Sequence, residues 1–174
     1  MRSVVLPLTL LVVWEAWGTA SGNRRTPTPT RVIGAAIDLV MSGDMIEAIA
    51  TSLARVFAGF AIAALIAIPL GLAMGAFRSI ERNVDPLVES FRPIAAIAIL
   101  PLAILWLGTG TPAAILIVAY AAFFPIVIHT IAGAKLVDPT LLRVAATMGL
   151  GRLNTVRTVI VPGALPSIGV GLRI

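Results

Sequence analysis

Long apolar stretches constrain the fold of this chain more than any other feature. Apolar residues fill positions 53–77 almost without interruption, and the stretches 4–20, 93–107 and 113–134 are nearly as apolar. A helix of about 20 mostly apolar residues crosses the roughly 30 Å hydrocarbon core of a bilayer. The stretches therefore predict an all-α, polytopic transmembrane helical bundle.

The composition supports a membrane protein over a soluble one. Hydrophobic residues make up 59% of the chain and charged residues 12%, against about 45–50% and about 25% in soluble domains. The net charge of +5 comes from basic residues scattered between the apolar stretches, so we expect no nucleic-acid partner. The chain has no Cys and one His, which excludes thiolate sites and a zinc site built from several histidines.

The first expected span covers residues 4–20. Arg2 precedes it, and Trp14 and Trp17 lie near its far end, where aromatic side chains favour the membrane interface. The same arrangement also suits a cleaved signal peptide, which the residues alone leave open. The second span, 53–77, is the longest. Its Gly71-xxx-Gly75 spacing either permits close helix packing or arises by chance.

Prolines interrupt the later spans. The third expected span, 93–107, is short and broken by Pro101, and the fourth, 113–134, contains Pro125. Proline at membrane depth frees a backbone carbonyl, which a kink, a neighbouring helix or a wet cavity can accommodate. The apolar stretch 159–174 is too short for a comfortable span. We therefore expect about four complete spans plus the start of a fifth, in a chain cut off inside a membrane segment.

The polar segments between the spans predict surface elements. Residues 21–30 resemble a loop, 31–50 an amphipathic helix at the extracytoplasmic surface, and 78–92 a water-exposed connection. With a cytoplasmic N-terminus, eight basic residues lie inside and four outside, which favours that orientation. We expect residues 1–174 to form one transmembrane domain, incomplete at its end.

The segment 138–149 predicts a short helix with a cap at each end. Asp138 suits the N-cap, Pro139 the first helical position, and Gly149 the position after the last turn. Apolar residues recur at the spacing of one helix face: Leu141, Val144, Ala145 and Met148. A ten-residue helix is marginal alone in water, so this face packs either on its own membrane domain or in a groove of a partner.

Residues 143–149, followed nine residues later by Val159-Ile-Val-Pro162, resemble the EAA motif of ABC importer permeases. That motif reads E-A-A, three residues, G, nine residues, I-x-L-P. Three positions match its defining residues: Ala145, Gly149 and Pro162. Arg143 stands where glutamate is usual and Val144 where the first alanine is usual, so an ion pair through that glutamate is in doubt.

Other segments, in the same order, resemble the nitrate/sulfonate/taurine branch of these permeases. They are Trp14-Glu15, 52–59, 69–71, 85–87, 100–108, 123–125, 162–166 and 171–173. The resemblance implies a type I importer permease in the bacterial inner (plasma) membrane. Such a subunit forms the translocation path for a small solute, such as a sulfonate, taurine or nitrate, and is not itself an enzyme.

The same resemblance implies the partners. These are a separate ATP-binding cassette ATPase, an extracytoplasmic solute-binding protein, a second permease copy and the lipid bilayer. The chain itself would bind no cofactor, since ATP is used by the ATPase, and it contains no G-x-x-x-x-G-K-[ST] loop. The helix at 138–149 would be the coupling helix. The residues expected to serve ATPase coupling are Asp138, Pro139, Leu141, Leu142, Arg143, Val144, Ala145, Ala146, Met148, Gly149 and Pro162.

Three ionisable residues near or within the spans are candidates for the solute pathway. Glu15 fits either the pathway or an interfacial carboxylate, and Arg55 either an anion ligand or an interface anchor. His129 fits either a proton relay or a packing histidine. The sequence offers no paired carboxylates and no nucleophile–base set, so we expect no catalytic site. An ion-coupled secondary transporter or channel subunit, and a truncated non-functional permease fragment, remain alternative interpretations.

Overall fold

The computed structural model describes residues 2–21 and 27–173, with side chains from residue 5 onward. Every regular element in those residues is helical, which confirms the all-α class. The helices, in chain order, are α1 (Arg2–Ala20), α2 (Pro29–Ser42), α3 (Asp44–Ala76), α4 (Arg78–Phe91), a 3₁₀-helix (Ala96–Ile99), α5 (Leu100–Leu107), α6 (Thr111–Lys135), α7 (Pro139–Thr147), α8 (Arg152–Thr155), a π-helix (Val156–Ile160) and α9 (Val161–Arg173). The chain divides into two compact units, residues 1–52 and 53–174.

The first unit contains α1, α2 and the beginning of α3. Within the predicted loop 21–30, residues 22–26 lie outside the described part, and Pro29 already belongs to α2. The prediction of one helix over residues 31–50 is wrong, because two helices share this segment. Gly43, with φ +83°, ends α2, and α3 begins at Asp44. A left-handed φ is accessible to glycine at little cost, so the chain turns here between two helices.

Three continuous helices in the described residues are long and apolar enough to cross a membrane. They are α3, α6 and the run Arg152–Arg173, which joins α8, the π-helix and α9. The last of these is longer than the stretch 159–174 from which the start of a fifth span was expected. Arg152 and Arg157 belong to the polar end of this 22-residue helix, which starts before the apolar stretch. The apolar part of α1, Val5–Ala20, is shorter than these spans.

The third expected span is one arm of a bent pair. Arg78–Phe91 and Ala96–Leu107 meet at an angle of 84° across a short break, and together they make a fourth candidate span. Pro101 does not break this span, because it lies in the first turn of α5, where its missing N–H costs nothing. The break lies earlier, at residues 92–95. The multi-spanning bundle is confirmed, with this change in how its third span is built.

Glycines bring the spans of the second unit close together. A Cβ added at Gly71 would lie 2.7 Å from Cβ of Thr130 on α6, and one at Gly75 would meet Ala134. Close packing at the predicted Gly71-xxx-Gly75 spacing is therefore confirmed. Gly133 and Gly171 make the same kind of approach between α6 and α9, with added Cβ atoms 2.6 Å from Ser167 and 2.9 Å from His129.

Helix α4 occupies the polar connection expected at 78–92; most of its residues are exposed, but one side packs on the bundle. Its Val88 is buried in a cluster with residues of α3 and α6: Ala63, Ala67, Met74, Ile126 and Val127. At one end of α4, Glu81 pairs with Lys135, the last residue of α6. At the other end, the hydroxyl of Tyr120 donates to the carbonyl of Phe91 at 2.7 Å. These contacts run α4 alongside α6 as far as the middle of that helix.

Candidate functional site

Helix α7 is capped at both ends by its own residues. The backbone N–H of Thr140 donates to Oδ1 of Asp138 at 2.7 Å, which confirms the predicted N-cap. Because this N–H and the Thr140 side chain both favour the charged form, they hold the pKa of the Asp138 carboxyl below its ordinary value. The cap satisfies an amide that has no partner inside the helix.

The other end of α7 closes in a Schellman motif. The N–H of Leu150 donates to the carbonyl of Ala145 at 3.0 Å, and the N–H of Gly149 donates to that of Ala146 at 3.1 Å. Gly149 has φ +70°, the left-handed conformation this motif requires, as its sequence position predicted. Two local caps therefore fix the length of a helix that would be marginal alone.

One side of α7 anchors it to the membrane domain. Ala145 is 2% exposed. Leu142 packs against a buried cluster formed by Ala134 at the end of α6, Val137, and Ile160 of the π-helix. Of the two alternatives for this helix, packing on its own domain is thus realised, through residues at i and i+3.

A second apolar side of α7 is left uncovered. Leu141, Val144 and Met148 are 52%, 49% and 75% exposed. The predicted face of Leu141, Val144, Ala145 and Met148 is therefore covered only at Ala145. A helix turns about 100° per residue, so Ala145 lies at the border of the exposed stripe and falls on the anchored side. The helix therefore has both an inward apolar side and an outward one.

Arg143, which replaces the usual glutamate of the motif, lies on neither apolar side. It is exposed, and its Nε donates to the carbonyl of Pro139 one turn earlier at 3.4 Å. Pro162 is the second residue of α9, which follows the π-helix directly. The N–H of Val161 donates to the carbonyl of Val156, five residues back. This wider turn joins the buried Ile160, which belongs to the cluster that anchors α7, to α9. Pro162 therefore lies two residues beyond that cluster along the chain.

The three pathway candidates occupy separate places. The carboxylate of Glu15 accepts hydrogen bonds from the backbone N–H and the hydroxyl of Thr30, at 3.1 and 2.8 Å, and so ties α1 to the first turn of α2. Nε of Arg55 donates to the hydroxyl of Thr111 at 3.0 Å. His129 lies 18 residues further along α6, about 27 Å by helix rise. The structure does not bring Arg55 and His129 together.

His129 lines a groove that sequence reasoning missed. The groove has a volume of about 490 Å³ and lies between α6 and the break at residues 92–95. Its other polar residues are Arg92 and Tyr120. Arg92 escaped notice because its charged neighbours suggested a segment in water. Pro93, directly after it, was the available signal, since proline ends a helix at the preceding residue. Within the described residues, no group of acidic or His side chains could hold a metal ion.

Comparison with known proteins gives a consistent result. The family described as binding-protein-dependent transport system inner membrane component matches residues 67–174. A putative ABC transporter permease protein of Methanocaldococcus jannaschii is 36% identical, over 98% of this chain and 66% of its own length. The taurine transport system permease protein of Escherichia coli is 33% identical, over 99% and 67%. The nitrate import permease protein of a Synechocystis strain is 32% identical, over 100% and 66%.

These relatives confirm the predicted branch. The chain spans about two thirds of the length of the curated relatives it matches. The family match covers most of the second unit, including α6, α7, the π-helix and α9. The capped helix, its anchor and the close-packed spans thus lie in the region that defines the family. This chain belongs to the family of inner membrane components of binding-protein-dependent transport systems.

Proposed function

We propose that this chain is the permease subunit of an ATP-driven importer, and that α7 is the helix through which a separate ATPase drives it. The observation that carries the proposal is the two-sided character of α7. Leu142 and Ala145 fix it to the membrane domain, while Leu141, Val144 and Met148 present an apolar stripe outward. Such a stripe suits a groove on a partner.

The anchor supplies a route for mechanical coupling. Leu142 touches a cluster that joins the end of α6 to the π-helix before α9. A partner that displaces α7 would therefore move the ends of both spans together. Glycine contacts hold α6 and α9 at close distance, so the displacement would pass along them as a rigid-body movement. Alternating access of the solute path is the expected result.

The partners follow from this mechanism. ATP is bound and hydrolysed by the ATPase subunit, and this chain binds no cofactor of its own. A solute-binding protein delivers the solute on the extracytoplasmic side, and a second permease copy completes the path. The excess of basic residues at the α7 side supports a cytoplasmic N-terminus and a cytoplasmic α7.

The solute is a small oxyanion, such as a sulfonate, taurine or nitrate. The names of the related permeases support this class, because they specify taurine, aliphatic sulfonates and nitrate.

Co-purification with the neighbouring ATPase tests the docking helix. Val144→Glu places a charge in the middle of the exposed stripe, and we expect recovery of the ATPase to fall at least about tenfold, since burying an unpaired carboxylate is costly. Thr147→Glu is the matched control, because Thr147 is exposed outside that stripe. Equal recovery with both variants would contradict docking through this face. A wild-type permease that recovers no ATPase would favour a secondary transporter.

A further inference from the structure

We propose that the groove between α6 and the break at residues 92–95 is a recognition site for the oxyanion head of the transported solute. This inference rests on the proposed import function and adds to it a location and a residue, Arg92.

The groove lies at about the middle depth of a spanning helix. Tyr120, whose hydroxyl bonds the carbonyl of Phe91, is nine residues from the start of α6 and 15 from its end. These separations correspond to about 14 and about 22 Å along the helix. The N–H of Arg92 still donates to the carbonyl of Val88 at 3.0 Å, but residues 93–95 beyond it belong to no helix. Non-helical backbone at membrane depth is tolerated where protein covers it or where it lines a wet cavity.

Arg92 gives the groove a positive charge with free donors. A guanidinium carries five N–H donors, and one of the two terminal nitrogens of Arg92 contacts Glu89 at 3.4 Å. Both side chains are more than half exposed, so this ion pair is weak and can yield to a stronger ligand. A planar guanidinium pairs with two oxygens of one oxyanion, which is a stronger and more directional contact.

Other groups complete a site for a small polar solute. His129 lines the groove and has two ring nitrogens that can hydrogen-bond. Tyr120 donates its only O–H to the carbonyl of Phe91, so its oxygen is left to accept, as from an amino group. Pro125 has no N–H, so it cannot donate to the carbonyl of Ala121 one turn earlier, and both residues line the groove. That carbonyl is suited to the amino group of an aminosulfonate. Phe124 and Ile128 supply apolar walls, which strengthen the charged contacts by excluding water.

The chain contains no cysteine, so single cysteines report on the groove directly. Ala121→Cys places a thiol in it, and Leu65→Cys places one on an exposed face in the middle of α3. Both are tested in proteoliposomes holding the permease, its ATPase and its binding protein. The reagents are sulfonatoethyl methanethiosulfonate, which is anionic and carries the sulfonate group itself, and its cationic trimethylammonioethyl counterpart.

We expect Ala121→Cys to react with the anionic reagent and Leu65→Cys to remain unreactive. Taurine or sodium nitrate should slow the reaction at Ala121→Cys, while sodium chloride should not. Arg92→Gln should lower the anionic-to-cationic rate ratio about tenfold, because one charge in a low-dielectric cleft concentrates anions to this extent. Arg92→Lys should restore most of that ratio. Arg82→Gln is the control, since Arg82 lies on α4 but does not line the groove.

The inference is overturned if Ala121→Cys is as unreactive as Leu65→Cys, which would mean that lipid fills the groove. It is also overturned if Arg92→Gln leaves the rate ratio unchanged, or if neither oxyanion slows the reaction. ATP hydrolysis stimulated by the loaded binding protein is measured on the same proteoliposomes. Intact stimulation beside a failed groove assay leaves the import function standing, whereas a wild-type complex without stimulation contradicts the import function itself.

Discussion

Two kinds of helix contact hold the second unit together: close backbone contacts at glycines, and side-chain contacts that cover only one side of a helix. Between α6 and α9, glycines bring backbones into contact, so that the position of Gly171 has no room for even a methyl group. At α7, side chains make the contact, and the opposite side of the helix remains apolar and exposed. The first contact fixes geometry, and the second holds a helix that can also bind something else.

The difference follows from the surroundings of each contact. In lipid there is little hydrophobic gain from bringing two apolar helices together, so close packing of small residues must supply the attraction. Outside the hydrocarbon, burial of Leu142 and Ala145 itself drives association. We therefore expect the glycine contact to tolerate no added volume, and the α7 contact to tolerate change on one side only.

A single methyl group at the glycine contact should have the largest effect. In Gly171→Ala, the new Cβ would lie 2.9 Å from Cβ of His129 and 3.3 Å from the carbonyl oxygen of Pro125. We expect a loss of about 1–3 kcal/mol of stability from overpacking. Thermal unfolding of the purified permease, followed by the fluorescence of its tryptophans, would show this as a fall of roughly 2–4 °C per kcal/mol.

Gly169→Ala is the matched control, two residues away on the same helix. Apart from its chain neighbours and the backbone of its own helical turn, no described atom lies within 4 Å of its added Cβ, and alanine is the better helix former. Its unfolding temperature should match or exceed that of the wild type. If both alanine variants unfold at the same temperature, close backbone contact is not what holds α6 to α9.

The caps of α7 could be predicted from sequence, because their signals are local. Asp138, Pro139 and Gly149 each act on the backbone within a few residues, and all three occupy the positions expected of them. The family could also be predicted from the sequence, and the comparisons confirm the family. The coupling role of α7 stays a prediction.

The path of α4 and the two sides of α7 could not be predicted, because they depend on distant partners. The charges of α4 suggested a segment in water, yet Val88 packs on α3 and α6, and Glu81 pairs with Lys135, 54 residues later. On α7, the i, i+3, i+4, i+7 spacing identifies the apolar residues of one helix face. It does not show which of them are buried against the bundle and which stay exposed. Arg92 was overlooked for the same reason, since only the fold shows its depth.

Alanine substitutions on the two sides of α7 should separate its anchoring to the membrane domain from its docking to the ATPase. Leu142→Ala removes part of a half-buried contact, and we expect a local loss of roughly 1–2 kcal/mol, below the roughly 2–5 kcal/mol of fully buried leucines. Hydrogen exchange of the α7 amides should then accelerate. Leu141→Ala, on the exposed side, should change the opening free energy of these amides by less than about 0.5 kcal/mol. It should weaken ATPase binding instead. Faster exchange in both variants would contradict the division into two sides.

The smallest expected effect concerns the N-cap of α7 and depends on pH. The folded pKa of Asp138 lies below its ordinary value, chiefly because the backbone N–H of Thr140 donates to the carboxylate. The stabilisation is therefore complete above the ordinary carboxyl pKa of about 3.9, and is lost as the pH falls through the lower folded pKa. Asp138→Asn keeps a side-chain oxygen that caps a helix but does not titrate. Near neutral pH, the first-turn amides should exchange more slowly in the wild type than in Asp138→Asn, after correction for intrinsic exchange rates. That advantage should shrink only below about pH 4. An advantage that persists unchanged into stronger acid would mean that the charge of Asp138 contributes nothing to the cap.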